Sequence, residues 1–175
     1  VGIFKSTDRG NNWSLLTAPK TTVRKKTPVK RSTSKGKVKR TAAVTSRNPV
    51  PTDLDVVAPG KLLPVISAKV KVLEFTDDGK NGIFAGTDKG LYRSYDLTKG
   101  WEKLNLGVGV NDNIFAVHTV AQRPGTIWVG TATSGVLVSR DDGKTWQKAG
   151  GAVDNVPVSS ITTDPERPDY VYVGT

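Results

Sequence analysis

Gly82-Ile83-Phe84-Ala85-Gly86-Thr87-Asp88-Lys89-Gly90-Leu91-Tyr92-Arg93-Ser94-Tyr95-Asp96 is repeated, in pattern, by Ile127-Trp128-Val129-Gly130-Thr131-Ala132-Thr133-Ser134-Gly135-Val136-Leu137-Val138-Ser139-Arg140-Asp141. Gly-Thr pairs fall at 86–87, 130–131 and 174–175, a spacing of 44 each time. Ser94 and Ser139 are 45 apart, as are Trp101 and Trp146. Upstream, residues 117–131 run parallel to 158–175, which sets His118 beside Ser159. Each unit is β-branched and aromatic in short runs and punctuated by Gly, Pro and Asp, a pattern of strands and turns. No stretch keeps a 3.6-residue apolar period, so essentially no helix is expected.

A mid-forties period made of short strands predicts a β-propeller with one four-stranded antiparallel blade per repeat. The first strands are 70–75, 114–120 and 158–162; the second are 83–85, 127–129 and 170–173. The third follow Gly2, Gly90 and Gly135, and the fourth begin at Trp13, Trp101 and Trp146. The chain opens in a third strand and stops after a second. It is therefore read as two full blades (61–105 and 106–150) and two half-blades (1–17 and 151–175). A ring needs about 4–8 blades. The expectation is a segment of a longer protein, with a subunit that completes its ring from other copies as the alternative.

The connection between third and fourth strands carries the sharpest motif. Ser6-Thr7-Asp8-Arg9-Gly10-Asn11-Asn12-Trp13 and Ser139-Arg140-Asp141-Asp142-Gly143-Lys144-Thr145-Trp146 both read S-x-D-x-G-x-x-W. The middle copy keeps Ser94, Asp96 and Trp101 but has Thr98 in the glycine position, with Gly100 two residues on. A short Asp side chain accepts bonds from backbone N–H groups ahead of it and closes a turn. Gly supplies the left-handed backbone, and the Trp ring is expected to be buried beneath. Thr98 should make the middle turn the most strained, unless Gly100 compensates. The octapeptide resembles the Asp-box of the bacterial-neuraminidase repeat, found in sortilin-type and photosystem-assembly-factor-like propellers. That resemblance implies a structural and peripheral box. Ser6, Asp8, Gly10, Trp13, Ser94, Asp96, Trp101, Ser139, Asp141, Gly143 and Trp146 are thus read as scaffold, because equivalent positions on different blades cannot converge on one site.

Charge is concentrated elsewhere. The 175 residues hold 26 Lys+Arg and 16 Asp+Glu, a formal charge of +10. Residues 18–60 hold 11 Lys+Arg against two acids, five Pro and no aromatic residue, for a net of +9; the rest of the chain nets +1. Such a segment buries too little apolar surface to offset its ordering entropy, and it reads as a disordered, self-repelling linker. Arg24, Lys25, Lys26, Lys30, Arg31, Lys35, Lys37, Lys39 and Arg40 are its candidate polyanion contacts. Without interleaved aromatics to stack on bases, nucleic acid is not the expected partner.

Other chemistry is thin. With no Cys there is no disulfide scaffold and no thiolate metal site, and His118 stands alone. Asp77-Asp78-Gly79 reads as a hairpin turn rather than a calcium loop. No metal, cofactor or catalytic set is expected, and no apolar run reaches the ~18 residues of a membrane span. Enzymes with Asp-box propellers include sialidases and xyloglucan-cleaving hydrolases, and glycoside hydrolysis needs two carboxylates about 5–10 Å apart. Glu74, Asp77, Asp78, Asp88, Glu102, Asp112, Asp154, Asp164, Glu166 and Asp169 sit mostly in turn-like stretches, and no such pair stands out. The expected function is a non-enzymatic scaffold for a protein or carbohydrate ligand. A hydrolase segment and a polyanion binder are the alternatives. The resemblance further implies a secreted or extracytoplasmic bacterial protein.

Overall fold

The structure, a computed structural model, describes residues 3–15 and 61–175. Among the described residues four antiparallel sheets follow one another. The first holds β1 (Phe4–Lys5) and β2 (Ser14–Leu15). The second runs in order through β3 (Val70–Phe75), β4 (Ile83–Thr87), β5 (Gly90–Ser94) and β6 (Glu102–Leu104). The third repeats it with β7 (Ile114–Thr119), β8 (Ile127–Thr131), β9 (Val136–Ser139) and β10 (Gln147–Lys148). The last pairs β11 (Ser160–Thr163) with β12 (Val171–Gly174). Apart from a single 3-10 turn, Gly151–Val153, the described residues contain no helix. These are two full blades and two half-blades of a β-propeller.

Blade stacking follows from the alternation of side chains along each strand. Phe84, Leu91 and Leu104 of the second sheet meet Ile114, Val117, Ile127, Val129 and Leu137 of the third. On the far side of the third sheet, Ala116 and Val136 meet Val158 and Ile161. On the near side of the second, Ala85, Tyr92 and Trp101 meet Ile3, Leu63 and Ile66. The glycine of each Gly-Thr pair is what lets the blades close up. A Cβ on Gly86 would lie 2.7 Å from Ile114, and one on Gly130 would lie 2.6 Å from Val158. A β-branched residue from the next blade fills the place of the missing side chain.

The first strands carry the same irregularity. A register shift interrupts β3 between Val70 and Val72 and β7 between Ile114 and Ala116. The residues at these bulges, Lys71 and Phe115, then stack, with the ammonium 4.0 Å from the ring centroid.

Two expectations change. Trp13 is 64% exposed, not buried, whereas Trp101 is 5% exposed and Trp146 half-buried. The Trp of this turn packs toward the preceding sheet, as Trp146 does on the Phe84 cluster, and among the described residues no sheet precedes β1. His118 is equivalent to Thr162 rather than Ser159, because His118 faces Trp128 and Thr162 faces Tyr172 in their ladders. The register of the ladder keeps the spacing of 44 through the first strand, which the Pro-to-Pro spacing had disguised. In the middle turn the stated exception holds: Gly100 takes the left-handed backbone and Thr98 does not. The linker expected over 18–60, with its basic residues, lies outside the described residues.

Candidate functional site

The repeated turns are closed by their own side chains. Ser139 Oγ donates to Asp141 Oδ1 at 2.8 Å and accepts from the Gly143 N–H at 2.9 Å. Thr145 then donates its N–H to Asp141 Oδ1 and its hydroxyl to Oδ2. In the first turn Ser6, Asp8, Gly10 and Asn12 make the same four bonds. Both turns hold a non-glycine residue left-handed just before the glycine, Arg9 at φ 59° and Asp142 at φ 62°. These bonds hold Asp8 below the usual carboxylate range and Asp141 at about 2, first through Asn12 and Thr145.

The middle turn takes another path. The Thr98 N–H and hydroxyl both donate to Asp96 Oδ1, and the Ser94 hydroxyl donates to the Gly100 carbonyl. Leu97 and Thr98 stay out of the left-handed region, and Gly100 takes it alone at φ 114°. A Cβ there would strike the Leu63 carbonyl oxygen at 2.3 Å. Leu63 bonds to Trp101 in both directions at 2.7 Å, so the shifted glycine admits an extra strand segment beside Trp101. The three turns belong to three separate sheets. They are not brought together into a site.

What the fold does bring together is a polar row across the first strands, β3 beside β7 beside β11. His118 Nδ1 stands 3.8 Å from Glu74 Oε1, and its Nε2 is 3.0 Å from Thr163 Oγ1. Burial raises Glu74 and lowers His118 from their usual values, although Asp77 pulls the histidine back upward. Burial thus disfavours the charged ring, and its 3.8 Å approach to Glu74 is longer than a hydrogen bond. Near this end Arg123 pairs with Asp169 at 2.5 Å and Gln122 donates to the Pro165 carbonyl. Lys71, which also donates to Asn113, marks the opposite end of the row.

A second cluster escaped the sequence reading. Arg93 reaches from β5 to the turn at 139–146, bonding the Asp142 carbonyl at 3.0 Å and its carboxylate at 2.9 Å, with Glu102 at 3.1 Å. It thereby clamps the left-handed Asp142 from the neighbouring blade. Beside it the Tyr95 hydroxyl donates to Asp78 at 2.6 Å. Burial alone would raise Asp78, but the bonds from Tyr95, Lys80 and Thr76 outweigh it and hold the carboxyl at about 2. The available signal was an arginine where the repeat has the buried Val138. No group of three His, Cys, Asp or Glu among the described residues is placed to hold a metal ion. No helix among them is long and apolar enough to cross a membrane.

Meander sheets of this register, stacked through glycine notches, define a β-propeller segment. Solved structures that share the arrangement include an ancestral GH74 enzyme, 20% identical with a TM-score of 0.54, where the match covers 61% of this chain and 13% of that one. YCF48 bound to D1 peptide is also 20% identical, with a TM-score of 0.44 and coverage of 61% and 33%. The chain thus spans about an eighth and a third of those proteins. At this identity the likeness to the GH74 enzyme speaks for the fold alone. No family model and no curated protein matches the chain.

Proposed function

We propose that the chain is a non-enzymatic Asp-box propeller segment that works outside the cell as a rigid scaffold and presents its first strands to a protein or carbohydrate ligand. The observation that carries this reading is how its acids are used. Asp8 and Asp141 spend both carboxylate oxygens on their own turns. Glu102 and Asp142 hold Arg93, while Asp112, Asp154, Asp164 and Asp169 pair with Lys103, Lys148, Arg167 and Arg123. Carboxylates engaged in this way stiffen a frame; a hydrolase needs two that face each other across a cleft. Lys71 stacked on Phe115 supplies a cation and an aromatic face, and the Glu74–His118–Thr163 row supplies donors and acceptors nearby. A screen of the chain against xyloglucan and sialylated oligosaccharides and a peptide library tests the reading. Saturable binding is expected, lost in Phe115→Ala with an unchanged circular dichroism spectrum, and without release of reducing sugar. Sugar release that Glu74→Gln abolishes overturns the scaffold in favour of a hydrolase.

A second property rests on the +9 charge of residues 18–60. Heparin binding should weaken steeply with salt and vanish when residues 21–46 are deleted. Salt-resistant binding that survives the deletion would place the polyanion site on the blades.

A further inference from the structure

The strand β3 carries charge of opposite sign near its two ends. Lys71 stands near its start and Glu74 near its finish, with Asp77 just beyond. In an unbroken strand, residues three apart point to opposite faces. The register shift between Val70 and Val72 adds one residue at that place, and a bulge of this kind re-aims a side chain. Both side chains consequently reach toward the same neighbouring sheet, Lys71 to Asn113 and Phe115, and Glu74 to His118.

Neither end is neutralised. The Lys71 ammonium donates to the Asn113 side-chain carbonyl and lies 4.0 Å from the centre of the Phe115 ring. Both partners are uncharged and both belong to the next sheet, so the cation is fixed in place and keeps its charge. No carboxylate among the described residues pairs with it, whereas Arg93, Lys103 and Arg123 each hold one. At the other end Glu74 has the His118 imidazole at 3.8 Å and the Thr119 N–H as its neighbours. The charge of Asp77 acts on both Glu74 and His118, and no Lys or Arg among the described residues pairs with either carboxylate. The two charged ends lie about 10 Å apart along the strand, at about 3.3 Å per residue. They are complementary to a ligand that carries both signs. A peptide does so. An acidic oligosaccharide offers an anion to Lys71 but nothing to Glu74 and Asp77, and one face of Phe115 is already taken by the ammonium. Among the described residues β3 is also an edge strand, which leaves its outer N–H and C=O groups to an extended backbone.

Building on the proposed role of the first strands as the ligand-bearing edge, we infer that they bind an extended peptide of mixed charge. Its acidic side chain meets Lys71, and a basic side chain about three residues away meets Glu74 and Asp77. Phe115 and Asn113 act as positioning residues. They hold the ammonium from the neighbouring blade, so less side-chain freedom is lost when the ligand's carboxylate arrives. Opposite charges at the two ends also set the direction in which the peptide lies.

Titration calorimetry on the 175-residue chain tests this. The probe is an end-capped peptide with one Glu and one Lys three residues apart in a neutral background. It has no net charge, so the +9 of residues 18–60 does not capture it. Replacing the peptide's Glu by Gln, or making Lys71→Gln in the chain, should each weaken binding about tenfold or more, and the two together no more than either alone. Replacing the peptide's Lys by Gln should weaken binding to the same extent in the Lys71→Gln chain, and not at all in a Glu74→Gln/Asp77→Asn chain. Glu74→Gln keeps an acceptor for the Thr119 N–H, and the circular dichroism spectrum should be unchanged in each variant. Equal affinity for the parent and the Gln-substituted peptides overturns the inference with no change made to the protein. Additive losses from Lys71→Gln and the peptide's Glu overturn it as well, as does tighter, Lys71-dependent binding of a uronic-acid oligosaccharide. Each of these three results leaves the first strands as a ligand-bearing edge. No binding of peptide or oligosaccharide at about 1 mM removes that edge too.

Discussion

The turns at 6–13 and 139–146 close with the same four hydrogen bonds, of 2.6–2.9 Å, and place Arg9 and Asp142 in the same left-handed backbone. Their surroundings differ. The later turn is clamped by Arg93 from the blade before it, and its Trp146 rests on the Phe84 cluster and donates to the Gly143 carbonyl. The earlier turn has no described blade before it, and Trp13 is left in solvent. Turn geometry is thus a property of eight residues, while the work done by the tryptophan depends on a neighbour. The middle turn sharpens the point: its bonds are different, yet Trp101 is the most buried of the three because Leu63 and Leu97 cover it.

Substitution at the tryptophans should separate these contributions. Trp101→Ala should cost about 3–5 kcal/mol, as for a fully packed aromatic ring, measured by urea unfolding. A loss under about 1 kcal/mol would mean that the ring is not a structural member. Next comes the notch between blades. Gly130→Ala pushes a Cβ to 2.6 Å from Val158 and should cost about 1–3 kcal/mol through overpacking. At Gly174 the three atoms nearest the new Cβ belong to Ser159 and Ser160, two of them movable hydroxyls, and the substitution should change stability by less than about 0.5 kcal/mol. Equal effects at the two glycines would break the distinction between a filled notch and an open one. Trp13→Ala should also change stability by less than about 1 kcal/mol, against the large loss at Trp101.

The smallest effect concerns acid. Asp141 has its folded pKa at about 2, below the usual 3.8. Its contribution is therefore fully present above pH 3.8 and lost as the pH falls toward 2, because the unfolded chain takes up the proton first. NMR titration of the side-chain carboxyl should give a midpoint near 2, and Asp141→Asn should flatten the pH dependence of stability between 3.8 and 2. Asp8 should shift in the same direction. An ordinary midpoint at both aspartates would show that the turn bonds do not persist in solution.

Much of the frame was legible in advance because it is local. Alternating β-branched and aromatic residues, Gly90 and Gly135 before the third strands, and Ser-x-Asp turns each act over fewer than ten residues, so a linear pattern specifies them. The 44-residue spacing then dictates that the units stack. The position of His118 was misjudged by three residues because Pro124 and Pro165 sit at different depths in turns of equal length. Hydrogen-bond register, not the prolines, aligns the strands. Arg93 was passed over because its partners, Glu102 and Asp142, lie 9 and 49 residues away, and only one of them shares its blade.

The division follows from range. Strand identity, turn chemistry and the near-neutral charge outside residues 18–60 are set by residues adjacent in the chain, where backbone sterics and Asp-to-backbone bonds act without help. Burial is not of that kind. Trp13 and Trp146 have the same motif around them, and among the described residues Trp146 alone of the two has a preceding sheet to pack on. The same holds for the pairing of Glu74 with His118 and of Lys71 with Phe115, each of which joins residues 44 apart. Those contacts arise only once the blades stack and close packing puts one first strand against the next.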